Sequence, residues 1–178
     1  ELSRLENDVE LALYYARSEQ IYRDYLIQKL NVRKVLLKVV NKNRTVIMNS
    51  SVAIDLDCDE ALYAYGDEKW LVFMLTQVLL NAIKYKAEAD AKVVMRAKRD
   101  NKRIVLNIID NGKGIKKEEL PRIFDKVFTG SNVRDNEKYT GMGLYLVHKL
   151  CEKLEIDIEA DSVYGEFTEI SFSLKNVG

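Results

Sequence analysis

The run Ile104-Val105-Leu106-Asn107-Ile108-Ile109, followed at once by Asp110-Asn111-Gly112-Lys113-Gly114, constrains this chain more than any other stretch. Five of the six leading residues are apolar and most are β-branched, which reads as a buried strand. A carboxylate where such a strand ends, then glycines at i and i+2, is a ligand-facing arrangement. Glycine lets backbone come close to a neighbour and take positive φ, and Asp110 would be an acceptor with few competing waters. The same letters also fit an ordinary Asp-Asn-Gly turn closing a hairpin. Two other stretches shift the balance toward a ligand: Asn81-Ala82-Ile83-Lys84-Tyr85 upstream and Thr140-Gly141-Met142-Gly143-Leu144 downstream.

The 178 residues make one good-sized domain, or one domain and a short appendage. Lys plus Arg equals Asp plus Glu, 28 each, which argues against a nucleic-acid surface as the main business. Cys58 and Cys151 lie far apart and match no metal spacing, so two reduced, buried thiols of a cytosolic protein are expected. No signal peptide and no apolar run near about 18 residues is present, so this stretch is not expected to cross a membrane. Starting at Glu1, it reads as a piece of something longer.

Along the chain, Leu2, Leu5, Val9, Ala12 and Ala16 step by three and four, an amphipathic helix with a narrow seam. That seam suits a coiled-coil or bundle partner and equally a place on its own domain. Ser18 to Gln28 is polar and Tyr-rich, a connector. Val32, Val35, Leu36, Val39 and Val40 mark a second helix ending near Asn43. Ser51 to Asp57 alternates as a strand, and Ala61 to Tyr65 is a shorter one, broken by Gly66. Asp67 is placed to cap a helix over Glu68 to Tyr85. Strands over 91–99 and 102–109 join through Asp100-Asn101. Lys116 to Leu120 is a helical turn before Pro121, and Phe124 and Phe128 would anchor the start of a long aperiodic loop, Lys126 to Tyr139. Leu144, Val147, Leu150, Cys151 and Leu154 form the apolar face of a last helix. Ile156 to Ala160 and Phe167 to Leu174 close the chain as strands around a turn at Gly165.

The helix from Glu68 repays projection at about 100° per residue. Leu71, Leu75, Val78, Leu79 and Ala82 share one side, and Gln77, Asn81 and Lys84 line up beside it. Asn is short and disfavoured inside helices. Its amide oxygen is a good neutral ligand for Mg²⁺, and a Lys one turn on suits a phosphate. Gly141 and Gly143, at the start of the last helix, leave bare amides and the positive dipole end for an anion.

In this order the three stretches resemble the ATP-binding domain of bacterial sensor histidine kinases, within the superfamily shared with gyrase, MutL and the large heat-shock chaperone. Asn81-Ala82-Ile83-Lys84-Tyr85 is similar to the N box, Asp110 to Ile115 to the G1 box, Ile123 to Phe128 to the F box, and Thr140 to Leu146 to the G2 box. The match spans roughly Asn31 to Leu174. The Phe-Thr-Gly-Ser-Asn wording at 128–132 and Thr-Gly-Met-Gly-Leu-Tyr at 140–145 resemble the intramembrane-sensing subgroup linked to peptide-antibiotic exporters. The fold so implied is an α/β two-layer sandwich, helices on one face of a mixed β-sheet (the Bergerat or GHKL ATPase fold), with an N-terminal helical stub.

The resemblance implies roles. Asp110 would accept from the adenine amino group, and Thr168 would help through a bound water. Asn81 would ligate Mg²⁺ between the phosphates, Lys84 would neutralise phosphate charge, and Tyr85 would stack near the base. Gly112 and Gly114 would let backbone approach the nucleotide, and Gly141 and Gly143 would present amides to phosphate. Thr140, Met142 and Leu144 belong to the same nucleotide-binding set, and Lys126 or Arg134 would reach the terminal phosphate from the lid.

Residues 1–28 would be a remnant of the second dimerisation and phosphotransfer helix with its connector, and 29–178 the catalytic domain. The phosphoacceptor histidine is absent. His148, the one histidine, is expected to be structural or solvent-facing. Implied for the whole protein are ATP and Mg²⁺, a response regulator, a homodimer, and a cell-membrane sensor whose membrane contact lies in missing N-terminal segments. Two departures stand out: Gln77 replaces an earlier asparagine, and Gly165-Glu166-Phe167-Thr168 lacks a second glycine before the threonine. A serine kinase of the anti-sigma-factor type and a non-catalytic nucleotide-sensing module are the rival readings. The helix ahead of the domain speaks against the first, and intact Asn81, Asp110, Gly141 and Gly143 against the second.

Overall fold

The computed structural model describes residues 25–126 and 143–175. Within them the elements run β1 (Gln28–Asn31), α1 (Val32–Lys42), α2 (Arg44–Ser50), β2 (Ala53–Cys58), β3 (Tyr63–Gly66), α3 (Glu68–Lys84), β4 (Lys92–Asp100), β5 (Arg103–Asp110), a 3-10 turn (Leu120–Arg122), α4 (Gly143–Lys153), β6 (Asp157–Val163) and β7 (Phe167–Lys175). Five strands form one mixed sheet in the order β2-β4-β5-β7-β6, and β1 pairs with β3 in a separate antiparallel ribbon. Only the β2–β4 pair is parallel. A parallel pair needs a crossover, here β3 and α3, so α3 is itself part of the connection that brings β4 beside β2.

One face of the sheet is apolar and covered. Val93, Met95 and Ala97 of β4, Ile104, Leu106 and Ile108 of β5, and Ile170, Phe172 and Leu174 of β7 are all buried. Each Leu or Ile so buried contributes about 2 kcal/mol. The opposite face carries alternating polar positions, as a half-covered antiparallel sheet should. Helix α3 lies deepest, buried on every side from Trp70 through Leu79. Its apolar character therefore extends round the whole helix rather than along one stripe.

Local chemistry accounts for the helix ends. Asp67 caps α3, its Oδ1 accepting from Trp70 N–H at 3.0 Å, while Oδ2 accepts from Leu26 N–H at 2.6 Å. Asn31 caps α1 by accepting from Lys34 N–H at 3.0 Å. Buried Asn43 joins α1 to α2 and donates to Val39 C=O at 2.8 Å.

Several boundaries differ from expectation. Helix α2 buries no residue, so it left no hydrophobic period to read. Ser51, expected to open a strand, sits at φ 57° as the cap that ends α2, and the strand starts at Ala53. The expected strand over Ala61 to Tyr65 starts two residues later, at Tyr63, and takes in Gly66, which was expected to break it. β1 begins at Gln28, where the connector was expected to end. Four residues with one buried side chain, Leu30, carry too little alternation to announce a strand. β6 runs on to Val163. Cys58 and Cys151 are buried and free. The helix expected over Leu2 to Ala16, the bulk of the connector, Phe128 and most of the loop lie outside the described residues.

Candidate functional site

Asp110 is the last residue of β5 and stands in line with Ile104, Leu106 and Ile108 on the covered face. It faces Val93 across β4 and Thr168 across β7, and Thr168 in turn faces Ser162 on β6. Directly opposed residues of antiparallel strands point the same way. One row across four strands therefore reads Val93, Asp110, Thr168, Ser162, and it ends an otherwise apolar surface in carboxylate and hydroxyl. Asp110 is 9% exposed. Its Oδ1 accepts from Gly112 N–H at 2.9 Å. Burial pushes its carboxyl up to about 6, and the Gly112 bond holds it back from rising further.

The loop after Asp110 is seated on protein from two sides. A β-carbon on Gly112 would stand 2.3 Å from Tyr85 C=O and 2.8 Å from Asp110 Oδ1. One on Gly114, at φ +69°, would stand 2.3 Å from Val163 C=O. Both glycines were expected to bring backbone to a nucleotide; the neighbours that require them here are the end of α3 and the β6–β7 turn. The contacts are fixed by hydrogen bonds. Lys113 N–H donates to Tyr85 C=O at 2.9 Å, and Gly165 N–H to Lys113 C=O at 2.7 Å. Asn111 clips the loop to β4, accepting from Lys92 N–H at 2.8 Å and donating to Asp90 C=O at 2.9 Å.

Helix α3 ties this loop to the start of α4. Gln77 is buried, and its Oε1 lies 3.5 Å from where a β-carbon on Gly143 would stand. Tyr85, two turns on, meets the glycine loop. Asn81 lies between them, half-buried, and its side chain forms no hydrogen bond among the described residues. Lys84 holds its ammonium 5.4 Å from the centre of the Tyr85 ring. Gly143 and Leu144 open α4, both half-buried. Lys126 is exposed. Arg134, Thr140, Gly141 and Met142 lie outside the described residues.

Two further residues carry weight that their letters did not announce. Asn111 holds the loop by its side chain. Ser162 accepts from Ile115 N–H at 2.7 Å, donates to Phe167 C=O at 2.6 Å, and lies 3.1 Å from the Thr168 hydroxyl. Its signal in the sequence is position: counting in register from Thr168 across the β6–β7 turn lands on it.

His148 is half-exposed, stacks on Phe124 at 5.2 Å between ring centres, and has its Nδ1 3.6 Å from Glu152 Oε1. An open hollow of about 420 Å³ between α4 and β6 includes His148 and Glu159, and none of its lining residues belongs to the glycine or asparagine stretches.

Residues 66–177 match the family described as histidine kinase-, DNA gyrase B-, and HSP90-like ATPase. The chain belongs to this ATPase family. Among curated relatives of the chain, the sensor histidine kinase GraS of Staphylococcus epidermidis is 32% identical over 172 residues, 97% of this chain and 49% of that protein. The sensor histidine kinase YxdK of Bacillus subtilis is 31% identical over 173 residues, 97% of this chain and 53% of that protein. The chain thus spans about half the length of the curated relatives it matches. Among solved structures, the Acinetobacter baumannii histidine kinase AdeS has the same fold, with a TM-score of 0.77 at 19% identity, over 99% of this chain and 81% of that one.

Membership of this ATPase family implies ATP binding. For the metal, the donor set is informative. Among the described residues no three His, Cys, Asp or Glu side chains gather where they would hold an ion. A protein cage is therefore lacking there. Asn81, a neutral oxygen donor with no hydrogen bond among those residues, fits an ion that keeps its waters and is carried mainly by phosphate oxygens.

Proposed function

We propose that this chain is the ATP-binding catalytic domain of a sensor histidine kinase, and that in the whole protein it delivers the γ-phosphoryl of ATP to a histidine on another segment. The observation that carries this reading is the Asp110 row. It is a buried acceptor at the end of an apolar surface, joined through α3 to the start of α4. Asp110 accepts from the exocyclic amino group of adenine. A six-oxo purine would set a lone pair against the carboxylate, and a site built for one hydrogen bond rejects the analogue that lacks it. Thr168 lies beside it in register and shares a water with the base. Tyr85 borders the base from the end of α3.

The phosphate tail runs toward Asn81, Lys84 and the first amides of α4. As the family resemblance implies, Gly141 and Gly143 would present those amides, Lys126 or Arg134 would neutralise the terminal phosphate, and Thr140, Met142 and Leu144 would belong to the same nucleotide-binding set. Asn81 would hold Mg²⁺, which when bound with the nucleotide neutralises charge between the phosphates. Phosphoryl transfer asks mainly for positioning and charge neutralisation, and these residues supply both. The imidazole nitrogen that attacks the γ-phosphorus, displacing ADP, comes from elsewhere in the kinase. A response regulator then takes the phosphoryl group onto an Asp. Residues 1–28 would belong to the phosphotransfer helix of a homodimer, and the domain would work on the cytoplasmic side of a membrane sensor. Among the described residues no helix is long and apolar enough to cross a membrane.

Calorimetry with a non-hydrolysable ATP analogue and Mg²⁺ tests the site. The wild-type chain binds, and Asp110→Asn and Asn81→Asp each abolish binding with the fold intact by circular dichroism. Wild-type affinity in either variant removes the assignment. With labelled ATP the chain alone should take up no acid-labile phosphate, and label at His148 would overturn the reading.

A further inference from the structure

We propose that Ser162 is a positioning residue that sets base specificity, by accepting the hydrogen bond of the Thr168 hydroxyl and leaving Thr168 only acceptor lone pairs toward Asp110. This rests on the reading of the Asp110 row as the adenine site.

Proton accounting leads there. A serine hydroxyl has one proton and two lone pairs. The Ser162 proton goes to Phe167 C=O at 2.6 Å, because a carbonyl oxygen only accepts. One lone pair receives Ile115 N–H at 2.7 Å. The contact with Thr168 Oγ1 at 3.1 Å therefore has Thr168 as donor, and Ser162 is saturated. Thr168 has then spent its only proton. It faces Asp110 directly across the β5–β7 pair, yet has nothing to donate to the carboxylate. The two side chains present an unbroken acceptor patch at the end of the apolar row.

An acceptor patch selects a donor. The amino group of adenine, with a water beside it, meets that demand, whereas the six-oxo group of hypoxanthine meets lone pairs on both sides. Ser162 is also the knot that ties the glycine loop to the β6–β7 turn, through Ile115. One hydroxyl thus holds the loop after Asp110 and orients the hydroxyl opposite it.

The test compares Mg²⁺-ATP with Mg²⁺-ITP, the same tail on an amino or an oxo purine, by competition against a fluorescent ATP analogue. The wild type should prefer ATP strongly. In Ser162→Ala, Thr168 regains a free proton and can donate either to the oxo group or to Asp110. The ATP-to-ITP preference should then shrink about tenfold, and the acid limb of ATP binding should move to lower pH. Ser162→Thr, which keeps the hydroxyl, should restore both. If Ser162→Ala does not fold, Thr168→Val removes the acceptor without touching the other two Ser162 bonds and should narrow the preference likewise. An unchanged preference in the folded alanine variant, or in Thr168→Val, overturns the proposal. So does an equal loss for both nucleotides that threonine does not repair. Failure of the wild type to bind ATP at all would instead remove the adenine site itself.

Discussion

Asp110 and Asp57 are the same residue in the same sheet under opposite physics. Asp57 lies on the open face of β2, accepts from Arg96 Nε at 2.8 Å and has Lys98 Nζ at 3.8 Å. The Arg96 bond holds its carboxyl below the usual range. Asp110 lies on the covered face with a backbone N–H as its partner and is pushed the other way, to about 6. A carboxylate among cations in open water is a solvated part of the surface and adds little. A carboxylate kept in an apolar row with spare lone pairs destabilises the fold at neutral pH, and a donor arriving from outside relieves that cost. The difference between them is what marks Asp110, and not Asp57, as a candidate site, although both are an Asp near the end of a strand.

The contrast is most exposed at Asp110→Asn. Nucleotide affinity should fall by about two orders of magnitude or more, while the nucleotide-free domain becomes more stable. The sign follows from the folded value of about 6 against 3.8 for an unperturbed carboxyl. The stability tied to the raised value is present below the unfolded pKa and is lost as pH rises through about 6. At about pH 8 the asparagine variant should therefore be more stable, by up to about 3 kcal/mol, and the gap should close toward about pH 4. Melting curves of both proteins across that range decide it, and an asparagine variant that melts lower at about pH 8 would break the comparison.

Next in size is Gly114→Ala, which sets a methyl group on Val163 C=O at a backbone angle alanine avoids. It should cost roughly 2–4 kcal/mol in urea unfolding, and a neutral result would mean the loop is not seated as described. Smaller is the acid limb of binding. Wild-type affinity should drop about tenfold for each pH unit below about 6, and a flat titration between about pH 5 and 7 would show Asp110 is not the group in contact with the base. Least of all, Asp57→Asn should leave both melting temperature and nucleotide affinity near wild type. A loss comparable with that at Asp110 would erase the distinction.

What was legible from the letters follows the strength of each local signal. The long strand ending in Asp110, the cap at Asp67 and the α3 and α4 helices are strongly periodic or carry a capping residue, and they stand where expected. The fold class was readable because the motif order is specific. Helix α2 and strand β1 went unread because one buries nothing and the other buries Leu30 alone. Within the site, Asp110 was visible as a carboxylate after a buried run, but the reason for Gly112 was not. Its constraint is the carbonyl of Tyr85, a residue 27 positions back in the chain. Ser162 was invisible for a related reason. A serine in a strand has no meaning until register places it beside Thr168.

Asp67 holds two N–H groups at once, that of Trp70 at the head of α3 and that of Leu26 ahead of β1. The chain enters the described domain at the same carboxylate that fastens the Asn81-bearing helix. A tug on the polypeptide ahead of Tyr25 would load this shared anchor before it reached the strands of the large sheet. Releasing Leu26 leaves its amide without that acceptor, and keeping it while the segment moves strains a cap worth about 1 kcal/mol. Displacement of the segment ahead of β1 thus has a short route, through one hydrogen bond, into the cap of α3.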